Sequence, residues 1–110
     1  MRRVFSYGTL RQPGVQRALY GREVVTTDDS LPGFRFDWVT ITDAAVIATS
    51  GSDRHPILHP GAPTDAVAGA FLELDDAELA ATDAYEVADY ARREVSLASG
   101  VTAWVYVAAG

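Results

Sequence analysis

The chain has 110 residues, 48% apolar and 22% charged, which suits one folded domain and excludes a separate cofactor module, coiled coil, collagen-like repeats and wholesale disorder. A net charge of -6 has the wrong sign for neutralising a phosphate backbone, so nucleic acid is not an expected partner. With no Cys there is no disulfide frame, thiolate nucleophile, iron–sulfur cluster or cysteine zinc site.

No apolar run approaches the roughly 18 residues of a membrane span. Arg2 and Arg3 lead through only four residues, Val4 to Tyr7, to Gly8, too short for a signal-peptide apolar region, so no membrane partner and a cytoplasmic location are expected. Val4-Phe5-Ser6-Tyr7 is a β-rich run stopped by Gly8, and a loop and a turn of helix follow, with Pro13 near its start and Gly21 past its end. Residues 1–22 hold five Arg and no acid, a basic end suited to facing an anionic ligand. Glu23 to Thr27 and Phe34 to Thr42 read as two strands, and Leu31-Pro32-Gly33 between them is a turn that permits their pairing. Thr49 to Asp53 reads as a loop, and His55 to His59, flanked by Pro, as an edge strand.

Ala66 to Leu74 is a further strand. Asp75-Asp76 sets acids at a helix start, and Asp76 to Glu86 is the one long helix, of about three turns. Tyr90 to Leu97 and Val101 to Val107 flank Ala98-Ser99-Gly100 and form a closing hairpin. The sum is an α+β chain, predominantly β: a small closed or nearly closed β-barrel with one main helix, forming a single domain over residues 1–110. Trp38, Trp104 and the several Tyr and Phe are expected to fill its core. The absence of Lys and Asn suits a GC-rich bacterial genome.

Glu86 breaks a local rule, because a carboxylate at a helix end faces the negative pole of the macrodipole. Leu79, Thr82 and Glu86 fall at i, i+3 and i+7, so the stripe that turns Leu79 inward turns Glu86 inward too. A buried acid with a raised pKa is a general-base candidate; the other reading is a solvated loop acid. In Tyr7-Gly8-Thr9-Leu10 the glycine lets the backbone turn sharply, either as an ordinary strand end or so that successive N–H groups point at a carboxylate or oxyanion. Arg11 either pairs with an anion or is solvated. His55 and His59 share one face of an extended segment, but both precede Pro and a third ligand is lacking, so no metal site is assigned. Ser6, Ser30, Ser50 and Ser52 have no nucleophile-elbow context.

Val4-Phe5-Ser6-Tyr7-Gly8-Thr9-Leu10-Arg11, Leu31-Pro32-Gly33-Phe34, Val67-Ala68-Gly69, Asp83-Ala84-Tyr85-Glu86, Tyr90-Ala91-Arg92 and Val105-Tyr106-Val107 occur in this order. Together they resemble the gamma-glutamylcyclotransferase family, including its AIG2-like members, over essentially the whole chain. The resemblance implies a small β-barrel-like fold with a cavity, in which Tyr7, Gly8, Thr9 and Leu10 hold a gamma-glutamyl group through their backbone and Glu86 is the acid/base; Arg11, next to that loop, is a further substrate-binding candidate. It implies release of 5-oxoproline and a free amine from a small gamma-glutamyl substrate, with no metal or organic cofactor. The chain departs from many relatives in carrying Val87 where they have Gly, and Thr82 where they have an apolar residue. The alternative is a binding or interaction protein that keeps the cavity without turnover.

Overall fold

The computed structural model describes residues 1–51, 53–86 and 90–109. In chain order they form β1 (Arg2–Ser6), a short 3₁₀ turn (Thr9–Arg11), α1 (Pro13–Tyr20), β2 (Thr26–Pro32), β3 (Phe34–Thr40), α2 (Ala44–Ser50), β4 (Arg54–Pro60), β5 (Ala66–Leu74), α3 (Asp76–Tyr85), β6 (Tyr90–Ser96) and β7 (Thr102–Ala108). Among the described residues no helix is long and apolar enough to cross a membrane.

The strands form a five-stranded sheet in the order β2-β5-β1-β7-β6 and a separate two-stranded ribbon, β3-β4. β1 is central, antiparallel to β5 and parallel to β7, so the first and last strands of the chain lie side by side. Alternation along β1 sends Val4 to one face and Phe5 to the other. Val4, Leu72, Leu74 and Tyr106 pack under the helices, whereas Phe5, Phe71, Val105 and Val107 pack with Leu58 and Phe34 of the ribbon. The sheet is the middle of three layers, and both of its faces carry core. Gly69 permits the closest crossing, since a Cβ there would stand 2.2 Å from the Ser6 carbonyl oxygen.

Five expectations are corrected. The sheet is open: β2 bonds only to β5 and β6 only to β7 among the described residues, so there is no closed barrel. β2 and β3 do not pair with each other, because β2 continues through Leu31-Pro32 as the partner of β5 and the chain turns at Gly33 into the other sheet. Pro32 is tolerated on this edge strand. Residues 23 to 25 precede β2 rather than belonging to it, and the buried Gln16 side chain takes up the Val24 N–H at 3.1 Å.

Among the described residues there are three α-helices: α1 extends the expected turn of helix, α3 is the expected main helix, and α2 stands partly where a loop was expected. α2 was hidden by β-branched Val46, Ile47 and Thr49, yet it carries helix signals: Asp43 accepts from Ala45 N and Val46 N at 2.9 and 3.3 Å, and Gly51 caps its end with φ +75°. Trp38 is not core; it is 52% exposed, on the ribbon beside Phe36. The helix before Glu86, the strand Ala66–Leu74 and the terminal hairpin form as expected, and Asp75 and Glu78 make a reciprocal capping box at the start of α3.

Candidate active site

β1 ends at Ser6, and Tyr7-Gly8 leads into the 3₁₀ turn. A Cβ on Gly8 would lie 2.7 Å from Pro56 Cγ, so the absence of a side chain lets the loop close on β4. The Tyr7 hydroxyl donates to the Tyr106 carbonyl of β7, Gly8 N–H donates to Ser6 Oγ at 3.3 Å, and Thr9 Oγ1 lies 3.0 Å from Tyr85 Oη. Arg11 folds back on this loop: its Nε and one terminal nitrogen donate to the Gly8 and Tyr7 carbonyls at 3.3 and 3.2 Å. Leu10 is buried in the helical core, where its carbonyl accepts from Gln16 Nε2 at 2.9 Å. The loop is therefore held from four sides.

Glu86 follows the last turn of α3, its N–H bonded to the Thr82 carbonyl at 3.0 Å. The stripe behind it is buried: Leu79 packs in the core, and Thr82 donates to the Glu78 carbonyl at 2.8 Å while lying 2.6 Å from Tyr20 Oη. The Thr82 hydroxyl is thus absorbed within the helix layer. Glu86 itself is partly buried and lines a small pocket with Ser6, Tyr7, Gly8, His55, Tyr90 and Tyr106.

Among the described residues its carboxyl has neither an ion pair nor a hydrogen bond, and burial pushes its pKa from 4.5 up to about 8. Burial likewise pushes the Tyr7 and Tyr106 hydroxyls well above 10, the nearby Glu86 charge adding to both, and pushes Tyr20 up to about 12. These phenols stay protonated.

The Tyr106 hydroxyl donates to Asp83 Oδ1 at 2.6 Å, and Asp83 faces Arg92 at 3.5 Å. Tyr90 Oη donates to the Pro56 carbonyl at 2.6 Å. Sequence reasoning named Tyr90 and Tyr106 only as parts of a pattern, and Ser6 and Pro56 not at all as site residues. Strand alternation places Tyr106 on the same face of β7 as Trp104, the one available signal. The two histidines are divided by their partners: His55 Nε2 lies 2.9 Å from Ser50 Oγ, and His59 Nε2 lies 4.0 Å from Asp37. Among the described residues no group of three or more potential ligands is placed to hold a metal ion. Val87, Asp89 and Ser52 lie outside the described residues.

The pocket has a volume of about 30 Å³, room for about one or two waters. It shares Tyr7, Gly8, Thr9 and Pro56 with a groove of about 1070 Å³ that runs along the ribbon. One loop thus borders both a closed acid-bearing pocket and an open groove.

The sequence profile described as gamma-glutamyl cyclotransferase, AIG2-like, matches residues 4–110. The chain belongs to that family. No curated protein matches the sequence. Solved structures share the fold of this family member. An Arabidopsis thaliana protein solved in solution superposes with a TM-score of 0.75 at 23% identity, over 97% of this chain and 61% of its own. A structure titled gamma-glutamyl cyclotransferase gives a TM-score of 0.78 at 16% identity, over 99% of this chain and 67% of its own. An uncharacterized protein of Pyrococcus horikoshii gives 0.67 at 19%, over 100% of this chain and 80% of its own. The chain thus spans about three-fifths of the Arabidopsis protein's length. At these identities the likeness is one of fold.

Proposed function

We propose that the protein is a gamma-glutamyl cyclotransferase-like enzyme, acting on a small gamma-glutamyl amine or peptide, with Glu86 as general acid/base. The observation that carries this reading is the Glu86 carboxyl itself. Among the described residues it has no compensating partner, in a pocket walled by the Tyr7–Thr9 loop, and burial pushes its pKa up to about 8, in the range where one group can both accept and return a proton.

The chemistry asks little more of the chain. The substrate's α-ammonium gives a proton to the Glu86 carboxylate, and the freed amine attacks the γ-carbonyl carbon. The new C–N bond closes a five-membered ring, and the carbonyl oxygen takes the negative charge. N–H groups of the Tyr7, Gly8, Thr9 and Leu10 loop stabilise that oxygen. Glu86 then hands its proton to the departing nitrogen as the old C–N bond breaks, leaving 5-oxoproline and a free amine. Both reacting groups belong to one molecule, so holding it in the ring-closing conformer supplies much of the rate.

Arg11 acts through the loop, its guanidinium holding the Tyr7 and Gly8 carbonyls. The gamma-glutamyl group is larger than the pocket, so binding spreads the pocket lining. No step calls for a metal or organic cofactor.

Glu86→Gln tests the reading, since it keeps the shape of the side chain and removes the proton acceptor. Turnover, read as 5-oxoproline release, is expected to fall by roughly two or more orders of magnitude while folding and ligand binding persist. Full activity in a folded variant overturns the assignment. Binding without 5-oxoproline release by the wild-type protein would mark a binding module instead.

A further inference from the structure

The groove beside the pocket carries chemistry that cyclisation does not use. On the ribbon, Trp38 pairs with Pro56 and Thr40 with Arg54, and residues two apart on a strand share a face, so Phe36, Trp38, Arg54 and Pro56 make one surface. All four line the groove, which continues to the Tyr7–Thr9 loop. Phe36 and Trp38 are 45% and 52% exposed, with their rings edge to face at 5.1 Å. Two large aromatic side chains held together in water mark a recognition surface. The Arg54 guanidinium carbon stands 5.3 Å from the Trp38 ring centroid.

The charge of the groove runs against that of the chain. Among the described residues Arg11, Arg35 and Arg54 line it against one acid, Asp65, on a molecule of net charge -6. The Asp65 carboxylate is moreover engaged by the Ala62 N–H at 2.8 Å. A cationic, aromatic-lined groove suits an anion with a flat body.

The geometry points to this groove as the site of the substrate's leaving half, and to that half as an aromatic amine bearing a carboxylate. Its ring stacks on the Phe36–Trp38 surface, its carboxylate pairs with Arg54, and its amide nitrogen reaches the Tyr7–Thr9 loop, where the C–N bond to the gamma-glutamyl carbon breaks. This inference rests on the cyclotransferase reading.

Three substrates test it: the γ-glutamyl amides of para-aminobenzoate, of aniline and of methylamine. Arylamines leave more readily than methylamine in any site, so the substrate comparison is read from the first two: kcat/KM for the para-aminobenzoate amide is expected to exceed that for the anilide roughly tenfold. Trp38→Ala should lower the two aromatic substrates, and Arg54→Gln only the carboxylate-bearing one. Turnover of the methylamide stays within about twofold and serves as the folding control. Equal kcat/KM for the para-aminobenzoate and aniline amides, or equal losses on all three substrates in the variants, overturns the inference.

Calorimetric titration with para-aminobenzoate alone separates the two readings. If the methylamide turns over and para-aminobenzoate does not bind, the groove assignment fails and the cyclotransferase reading stands. If no substrate turns over but para-aminobenzoate binds and both variants weaken it, the cyclotransferase reading fails and the groove's ligand class stands.

Discussion

Glu86 occupies a position that disfavours its charge twice, once at the negative end of α3 and once by burial among Tyr7, Tyr106 and His55. The cost of holding it there depends on pH in a defined direction. In the unfolded chain the carboxyl ionises near its ordinary 4.5; in the folded protein it keeps its proton up to about 8. Below 4.5 both states are protonated and the residue costs nothing; between 4.5 and about 8 the unfolded state gains from ionising while the folded state does not, and above about 8 the penalty is complete. Gln never ionises, so the melting temperature of Glu86→Gln should rise relative to wild type across that window and run parallel to it on either side. Thermal melts of both proteins over the window check this; curves that stay parallel throughout would place the carboxyl in water.

At the scale of elements, α3 is the lever that presents Glu86, and its ends differ. Its start is secured by the Asp75–Glu78 capping box, and Glu78 also takes two hydrogen bonds of 2.8 Å from Arg22, which holds the Glu78 carboxyl below its usual pKa. Its middle is secured by Thr82 against Tyr20 of α1. Removing the cap with Asp75→Ala should cost about 1 kcal/mol of stability, read by chemical denaturation, because the Glu78 N–H at 2.7 Å loses its acceptor. An unchanged midpoint would mean that the Arg22 contact alone holds the helix start. The ribbon is secured differently. Among the described residues it has no third strand, so its position depends on Phe34 and Leu58 packing under the sheet and on the short connection through Gly33.

The whole molecule is a sheet with core on both faces, and its stability should be graded accordingly. β1 is bonded on both sides, and Val4, Leu72 and Val105 are fully buried along β1, β5 and β7. Each ribbon strand is bonded on one side only. Amide hydrogen exchange should therefore be slowest in β1, β5 and β7 and faster in β3 and β4. Equal protection in ribbon and sheet would make the molecule one cooperative unit. If the groove holds the leaving half as proposed, the grading bears on function, because the Tyr7–Thr9 loop leaves the central strand β1 while Trp38 and Arg54 stand on the two-stranded ribbon.

Features that depend on near neighbours are legible along the chain. Asp75 and Glu78 sit three residues apart and cap α3 whatever surrounds them; Ser99-Gly100 turns the hairpin; the period of two in Ala66–Leu74 makes a strand; the Leu79, Thr82, Glu86 spacing places the acid on the inward stripe. Features that depend on distant partners emerge when the chain is folded. Every strand offers the same backbone donors and acceptors along its edges, so periodicity assigns faces but not neighbours, and the pairing of β2 with β5, the separate ribbon and the open sheet could not be read from it. Asp43 and Gly51 announced α2, but Val46 and Ile47 between them fit a strand as well, and packing under the sheet settled the matter. For the same reason Glu86 was legible as an acid turned inward, while its surroundings of tyrosines were not: a carboxyl's pKa belongs to the groups around it, and those come from β1, β4 and β7.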